Sequence, residues 1–196
     1  MIICCLDLEG VLVPEIWIQV SKKTRIDDLR LTTRDIPNYD VLMKRRLKIL
    51  CEHKISLKDI QGVISRIEPL PGAKTFLDEL RERHQVIILS DTFQEFAAPL
   101  MKKLGQPVIF CNSLETDTRG FIRNYHLRQK DGKRKAVSGL KKIGFTVYAA
   151  GDSYNDITML RSAKRGILFN PPDSIRKEFT QFNVATNYKQ LLAGLS

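Results

Sequence analysis

The residues with the most chemistry to offer sit where short apolar runs end. Asp7-Leu8-Glu9-Gly10 follows the run Ile2–Leu6 and sets two carboxylates two positions apart. Ligands of a parallel sheet bind beyond the carboxyl ends of its strands, so such a pair is placed for nucleophilic or acid–base work. An acidic turn is the plainer reading. Ser90-Asp91-Thr92 follows residues 86–89 in the same way, and a small hydroxyl with free backbone N–H groups at a helix start can hold phosphate oxygens. Gly151-Asp152-Ser153-Tyr154-Asn155-Asp156 follows residues 147–150, with its carboxylates four positions apart across a strand-to-helix turn. Hard oxygen ligands in that number suit Mg²⁺, which takes one or two carboxylates and completes its shell with water and phosphate oxygens. Between these segments lies Lys130-Asp131-Gly132-Lys133-Arg134-Lys135. An ammonium there would let a carboxylate and a phosphate approach one another, and a solvated charge is again the plainer reading.

The elements that must position these residues are legible as alternating apolar runs and helical patterns. Residues 2–6, 86–89, 108–111, 147–150 and 166–169 read as buried parallel strands. Helical patterns occupy 73–83, 93–104, 134–143 and 157–163, the first preceded by Pro71-Gly72 and two of the others ended by Gly105 and Gly144. That alternation predicts an α/β fold, a Rossmann-type parallel sheet with right-handed crossovers. Two stretches interrupt it. Residues 14–70 hold no convincing strand and three periodic segments, 16–29, 39–53 and 57–67, which read as a small helical cap inserted after the first strand. Residues 113–127 surround Asp117-Thr118-Arg119-Gly120 and read as an appended β-hairpin. The catalytic core is then 1–13 with 71–196.

Asp7, Glu9, Ser90, Lys133, Asp152 and Asp156, in this order and at strand ends, resemble the four-motif signature of the haloacid dehalogenase (HAD) superfamily. The similarity to its phosphoserine phosphatases extends over nearly the full length. Segments 7–15, 90–96 and 151–156 look like the branch that also transfers the phosphoryl group to homoserine. The resemblance implies Mg²⁺-dependent transfer from O-phosphoserine through an aspartyl-phosphate on Asp7. Ser90, Asp91, Lys133 and Asn155 would bind the phosphate. Asp7, the backbone carbonyl of Glu9 and Asp152 would hold the metal, with Asp156 in or next to its shell. Glu9 stands where the wider superfamily usually has aspartate, and its extra methylene carries the acid–base carboxyl about one bond further out. Water, homoserine or both would be the acceptor; another small phosphorylated metabolite is the alternative substrate.

Specificity is expected in the cap. Tyr39, Met43, Arg46 and Leu50 fall on one helical face, so Arg46 lies in line with residues that point inward. An inward arginine needs an anionic partner, which a structural salt bridge could also supply. The phosphoserine phosphatases place a carboxylate-binding arginine at the corresponding position, and the resemblance suggests Glu15 as the contact to the substrate amino group. Such a pair would select an amino acid.

Composition bounds these readings without deciding them. The chain has 196 residues, 43% hydrophobic and 28% charged, enough for a substantial core. No apolar run reaches the roughly 18 to 20 residues of a membrane span, and the expectation is a soluble cytoplasmic protein without a membrane partner. Cys4, Cys5, Cys51 and Cys111 form no C-x-x-C pair and read as reduced, mostly buried thiols. The net charge of +10 gathers between Arg119 and Lys142, where nine Lys and Arg face only Asp131. A mouth that attracts an anionic substrate, a solvated surface and a nucleic-acid footprint are the three readings, the last without supporting aromatic residues or motif. The hairpin offers a surface for a homodimer.

Overall fold

The computed structural model describes residues 1–32, 35–36 and 38–196. Among the described residues the strands form one seven-stranded sheet in the order β4-β3-β2-β1-β5-β6-β7. They are β1 (Ile2–Leu6), β2 (Gln85–Phe93), β3 (Val108–Thr116), β4 (Ile122–His126), β5 (Thr146–Gly151), β6 (Arg165–Phe169) and β7 (Asn183–Ala185). All neighbours are parallel except β3 and β4. β1 is central because both its faces are apolar: Cys4 and Leu6 enter one core cluster, Ile3 and Cys5 the other. Its neighbours β2 and β5 carry the other two acidic or hydroxylic motifs, so three strand ends meet at one edge.

Helices cover the two faces. They are α1 (Ile16–Thr24), α2 (Tyr39–Glu52), α3 (Leu57–Ile64), α4 (Ala73–Arg83), α5 (Gln94–Lys103), α6 (Gly132–Lys142), α7 (Ile157–Ser162), α8 (Asp173–Glu178) and α9 (Tyr188–Leu195). The segment 14–70 contains α1, α2 and α3 and no strand among its described residues; Thr33, Arg34 and Pro37 lie outside them. This helical module is seated on the sheet rather than hung from it. Ile16, Trp17, Met43, Leu50, Ile60 and Ile64 share a buried cluster with Leu6, Phe93 and Phe96 of the core. α3 starts on a capping box, Ser56 and Asp59 each accepting from the other's backbone N–H.

Several expectations needed correction. The helix expected over 16–29 stops at Thr24, where Arg25 adopts a left-handed conformation (φ 59°), and a separate 3₁₀ turn covers Asp27–Arg30. β2 runs on to Phe93, so the following helix begins one residue late, at Gln94. The hairpin is a prolongation of β3 and not a separate unit: the strand pairs with β2 early and with β4 late. Its turn at Asp117–Gly120 is as expected, closed by a bond from Gly120 N–H to Asp117 O at 2.9 Å. β7, α8 and α9 carry no strong apolar run or glycine stop, and the sequence did not announce them. The cysteines are all free thiols; Cys4 and Cys5 are buried, Cys111 is half-buried, and Cys51 is exposed on the last turn of α2. No helix is long and apolar enough to cross a membrane among the described residues.

Candidate active site

Asp7 leaves β1 with its backbone N–H still paired to Ala150 O at 2.9 Å, so the sheet ladder itself fixes where the carboxyl begins. Its Oδ1 accepts from Leu8 N–H at 2.7 Å and pairs with Lys133 Nζ at 2.8 Å. Lys133, on the first turn of α6, reaches Asp156 Oδ1 at 2.7 Å as well. The other oxygen of Asp156 accepts from the backbone N–H groups of Asp152 and Ser153 at 3.0 and 3.1 Å. Asp7, Lys133 and Asp156 are buried.

Carboxylates outnumber the ammonium in this pocket, and the proton affinities follow. Burial, then the neighbouring Asp156, raises the Asp7 carboxyl well above the ordinary range, against the opposing pull of Lys133; Asp152 raises it further. Burial alone would discharge Lys133, but Asp156, Asp7 and Asp91 more than offset it and hold the ammonium above its ordinary value. Asp7, Asp152 and Asp156 each present an oxygen, all within 4.8 Å of one another. That donor set is hard, anionic and crowded, and it fits a divalent cation such as Mg²⁺, which would relieve the repulsion that raises Asp7.

Two glycines make the crowding possible. A Cβ on Gly151 would overlap the Asp156 carboxyl, and one on Gly10 would overlap the Asp152 carboxyl; Gly10 also has φ +77°. Both flank the acidic motifs in the sequence. Their position beside the carboxylates is the signal in the sequence for these two packing residues.

Ser90, at the end of β2, is buried, and its Oγ accepts from Thr92 N–H at 3.2 Å. Asp91 is held by Asn155, whose Nδ2 donates to Asp91 Oδ2 at 3.0 Å, so the second and fourth motifs are tied across the sheet edge. Asn112 Nδ2 and Tyr39 OH both donate to Asp91 O, at 2.9 and 3.2 Å. A cavity of about 850 Å³ opens beside this edge, lined among others by Tyr39, Leu127, Lys130, Lys133, Tyr154 and Asn155. Within the basic segment, Lys133 is thus interior and Lys130 stands at the cavity, while Arg123 and Arg134 are paired with Asp117 and Asp131.

Glu9 turns away from the carboxylate cluster and towards the helical module. Its Oε2 accepts from Ile16 N–H at 2.7 Å. Burial and then the adjacent Glu15, with which it shares a hydrogen bond, push its carboxyl up to about 8. Arg46 faces the same pair. It is only 6% exposed, and its stripe on α2 points inward as the spacing predicts, with Met43 and Leu50 fully buried beside it. Its Nη2 donates to Leu31 O at 2.7 Å, its guanidinium lies 4.5 Å over the Trp17 ring, and its Nε has no partner among the described residues. Burial lowers its pKa to about 10, with Glu9, Tyr39 and Glu15 opposing, so it remains charged. The structure therefore brings Glu9, Glu15 and Arg46 together at one wall and Asp7, Lys133, Asp152 and Asp156 at the next.

Known proteins resemble this chain in sequence and in fold. The haloacid dehalogenase-like hydrolase family matches residues 3–164. The chain is similar to a phosphoserine phosphatase of Pseudomonas syringae pv. tomato, 57% identical over 96% of this chain and 80% of that one. It is equally similar to the phosphoserine phosphatase ThrH of Pseudomonas aeruginosa, 57% identical over 97% of this chain and 93% of that one. Among solved structures, a phospho-aspartyl intermediate analogue of a phosphoserine phosphatase superposes with a TM-score of 0.80 at 20% identity, covering 97% of both chains. A buried carboxylate at the end of β1, a lysine-bridged carboxylate cluster and a match at 57% identity over 97% of the chain lead to one conclusion: the chain is an enzyme of the haloacid dehalogenase-like hydrolase family, of the phosphoserine phosphatase kind.

Proposed function

We propose that the protein transfers the phosphoryl group of O-phosphoserine through an aspartyl-phosphate on Asp7 to water, to homoserine or to both. The observation that carries the amino-acid part is Arg46: a buried guanidinium whose Nε has no partner among the described residues, facing the adjacent carboxyls of Glu9 and Glu15. A charged donor left unsatisfied in the interior costs free energy, and an arriving α-carboxylate would satisfy it while its α-ammonium meets Glu15. The likeness to curated phosphoserine phosphatases supports the same substrate. Segment 14–70 acts as the cap in this reading, and the rest as the catalytic core.

Asp7 attacks phosphorus with its carboxylate, displacing the serine oxygen. Ser90, Lys133, Asn155 and the backbone at Asp91 hold the phosphoryl oxygens. Glu9, protonated at neutral pH by its surroundings, gives its proton to the departing serine oxygen, then takes one from the acceptor hydroxyl that attacks the aspartyl-phosphate. Asp7, Asp152, Asp156 and the carbonyl of Glu9 would hold Mg²⁺, which when bound supplies charge neutralisation at the transferring phosphoryl group. Homoserine has serine's α-groups and one more methylene, so the same Arg46 and Glu15 can orient it as acceptor.

A second reading, a phosphatase of another small metabolite, draws on the 850 Å³ cavity, which exceeds what serine needs and does not have Arg46 or Glu15 in its wall. One experiment separates them. The protein is incubated with phosphoserine and Mg²⁺, with and without homoserine, and free phosphate and phosphohomoserine are measured, with an EDTA control. Phosphate release that EDTA stops and Mg²⁺ restores is expected, and homoserine should divert part of it. No phosphohomoserine at saturating phosphoserine leaves a plain phosphatase; no turnover of phosphoserine favours the second reading.

A further inference from the structure

The β3–β4 hairpin lies against the helical module at three places. Tyr125 OH donates to Asp40 Oδ1 at 2.7 Å on the first turn of α2. Arg123 Nη1 reaches Cys51 Sγ at 3.6 Å on its last turn, and Leu57 N–H at the start of α3 donates to Gly120 O at 2.9 Å. Arg123 and Tyr125 alternate along β4 and so share a face. The hairpin is stiffened before it reaches the module. Asp117 accepts from Arg119 and Phe121 N–H with one oxygen and from the Arg123 guanidinium with the other.

Rings continue this contact through the molecule. Tyr125 meets Tyr39 edge-on at 5.8 Å and Phe93 at 6.2 Å; Phe93 meets Phe96 at 5.4 Å; Phe96 meets Trp17 at 5.5 Å. Trp17 carries the Arg46 guanidinium at 4.5 Å. The two ends of this chain return to one helix, since Tyr39 and Arg46 are seven residues apart on the same face of α2. Tyr39 also bonds Asp91 O, next to the phosphate-binding Ser90. The hairpin therefore fixes the N-terminal turn of α2 against the strand edge, and the helix carries that position to Arg46.

We propose that Tyr125 is a positioning residue for substrate specificity: through Asp40 and Tyr39 it fixes α2, and so sets the arginine that reads the amino-acid part of the substrate. It has no part in phosphoryl chemistry. The inference rests on the phosphoserine reading for its kinetic readout, and on the chain's single tryptophan, Trp17, for one independent of substrate.

The test compares O-phosphoserine with p-nitrophenyl phosphate, which lacks both α-groups, in Tyr125→Phe and Tyr125→Ala. A small misplacement of a binding group far from the chemistry is amplified in binding. The KM for phosphoserine should rise about threefold in Tyr125→Phe and about tenfold in Tyr125→Ala. Turnover of p-nitrophenyl phosphate should stay within about twofold of native. Trp17 emission should shift to the red in Tyr125→Ala as its packing loosens. Asp40→Asn, which keeps an acceptor, should behave as native, and Asp40→Ala should match Tyr125→Phe without adding to it. Equal losses on both substrates would make Tyr125 merely structural and overturn the proposal. Unchanged KM, unchanged Trp17 emission, or additive Asp40→Ala and Tyr125→Phe effects would overturn it as well. If the native chain turns over p-nitrophenyl phosphate but not phosphoserine, the substrate reading fails, and Trp17 emission alone then decides for or against the hairpin's hold on α2.

Discussion

The two walls of the site are built on opposite electrostatic terms. At the strand edge surplus negative charge gathers around one cation: Lys133 bridges Asp7 and Asp156, and Asp156 also accepts from two backbone N–H groups. At the helical module a cation lacks an acceptor: the buried Arg46 has no partner for its Nε among the described residues, and Glu9 and Glu15 crowd one another. The positions at the strand edge are set by the sheet ladder. On the proposed reading, the remaining partner of the module's wall is the substrate. Chemistry that is the same for every substrate belongs on the first, and recognition of one substrate on the second.

Breaking the strand edge should have the largest effect. Asp7→Asn would remove the proposed nucleophile while keeping its shape, and turnover should fall by at least about 10⁴-fold. The variant's thermal midpoint should not drop, because a surplus negative charge leaves a crowded pocket. Near-normal phosphate release by a folded Asp7→Asn protein would falsify the covalent route.

The module's wall should break differently. Arg46→Ala would remove the proposed charge-assisted pair with the substrate carboxylate, and the KM for phosphoserine should rise roughly 100-fold while p-nitrophenyl phosphate is spared. Arg46→Met, which fills the volume without a buried charge, should give the same kinetic loss with a midpoint raised by about 2–4 °C. Equal kinetic losses on both substrates would erase the distinction between the two walls.

Glu9 sits between them and gives a pH signature in metal-free protein. Its carboxyl titrates near 8 folded and near the ordinary 4.5 unfolded, so between these values the native state holds the extra proton. Stability should therefore fall as pH rises from about 4.5 to about 8 and level off above. Glu9→Gln keeps the bond to Ile16 N–H and removes this slope, so at pH 8 in EDTA it should melt roughly 2–4 °C above native, with the gap closing at pH 5. A constant gap across that range would show that Glu9 does not titrate there.

The smallest effect should come from a site that belongs to neither wall. Ser56→Ala breaks the capping box of α3, where the Ser56 hydroxyl and backbone N–H hold the Asp59 carboxyl below its usual range. A loss of about 1 kcal/mol in stability is expected, with unchanged kinetics on both substrates. A change in KM for phosphoserine would mean that α3, and not α2 alone, positions the recognition wall.

The sequence by itself determined the strand edge. Ile2–Leu6, 86–89 and 147–150 are apolar on both faces, which makes them interior parallel strands, and interior strands deliver whatever follows them to one edge. Asp7, Ser90, Asp152 and Asp156 were therefore legible, because their place depends on local pattern and on the shared polarity of a parallel sheet. The inward stripe of Arg46 was legible for a similar reason, the period of a helix. Other features depend on partners far away in the chain. That Asp156 would spend its oxygens on Lys133 and two backbone N–H groups, that Asn155 would tie to Asp91, and that Gly10 and Gly151 yield space to carboxylates needed the strands laid side by side. The hairpin's hold on α2 was decided only by tertiary structure. Tyr125 and Asp40 are 85 residues apart, and no local propensity records which faces of a strand and a helix will meet; packing of Tyr39, Phe93, Phe96 and Trp17 between them settled it.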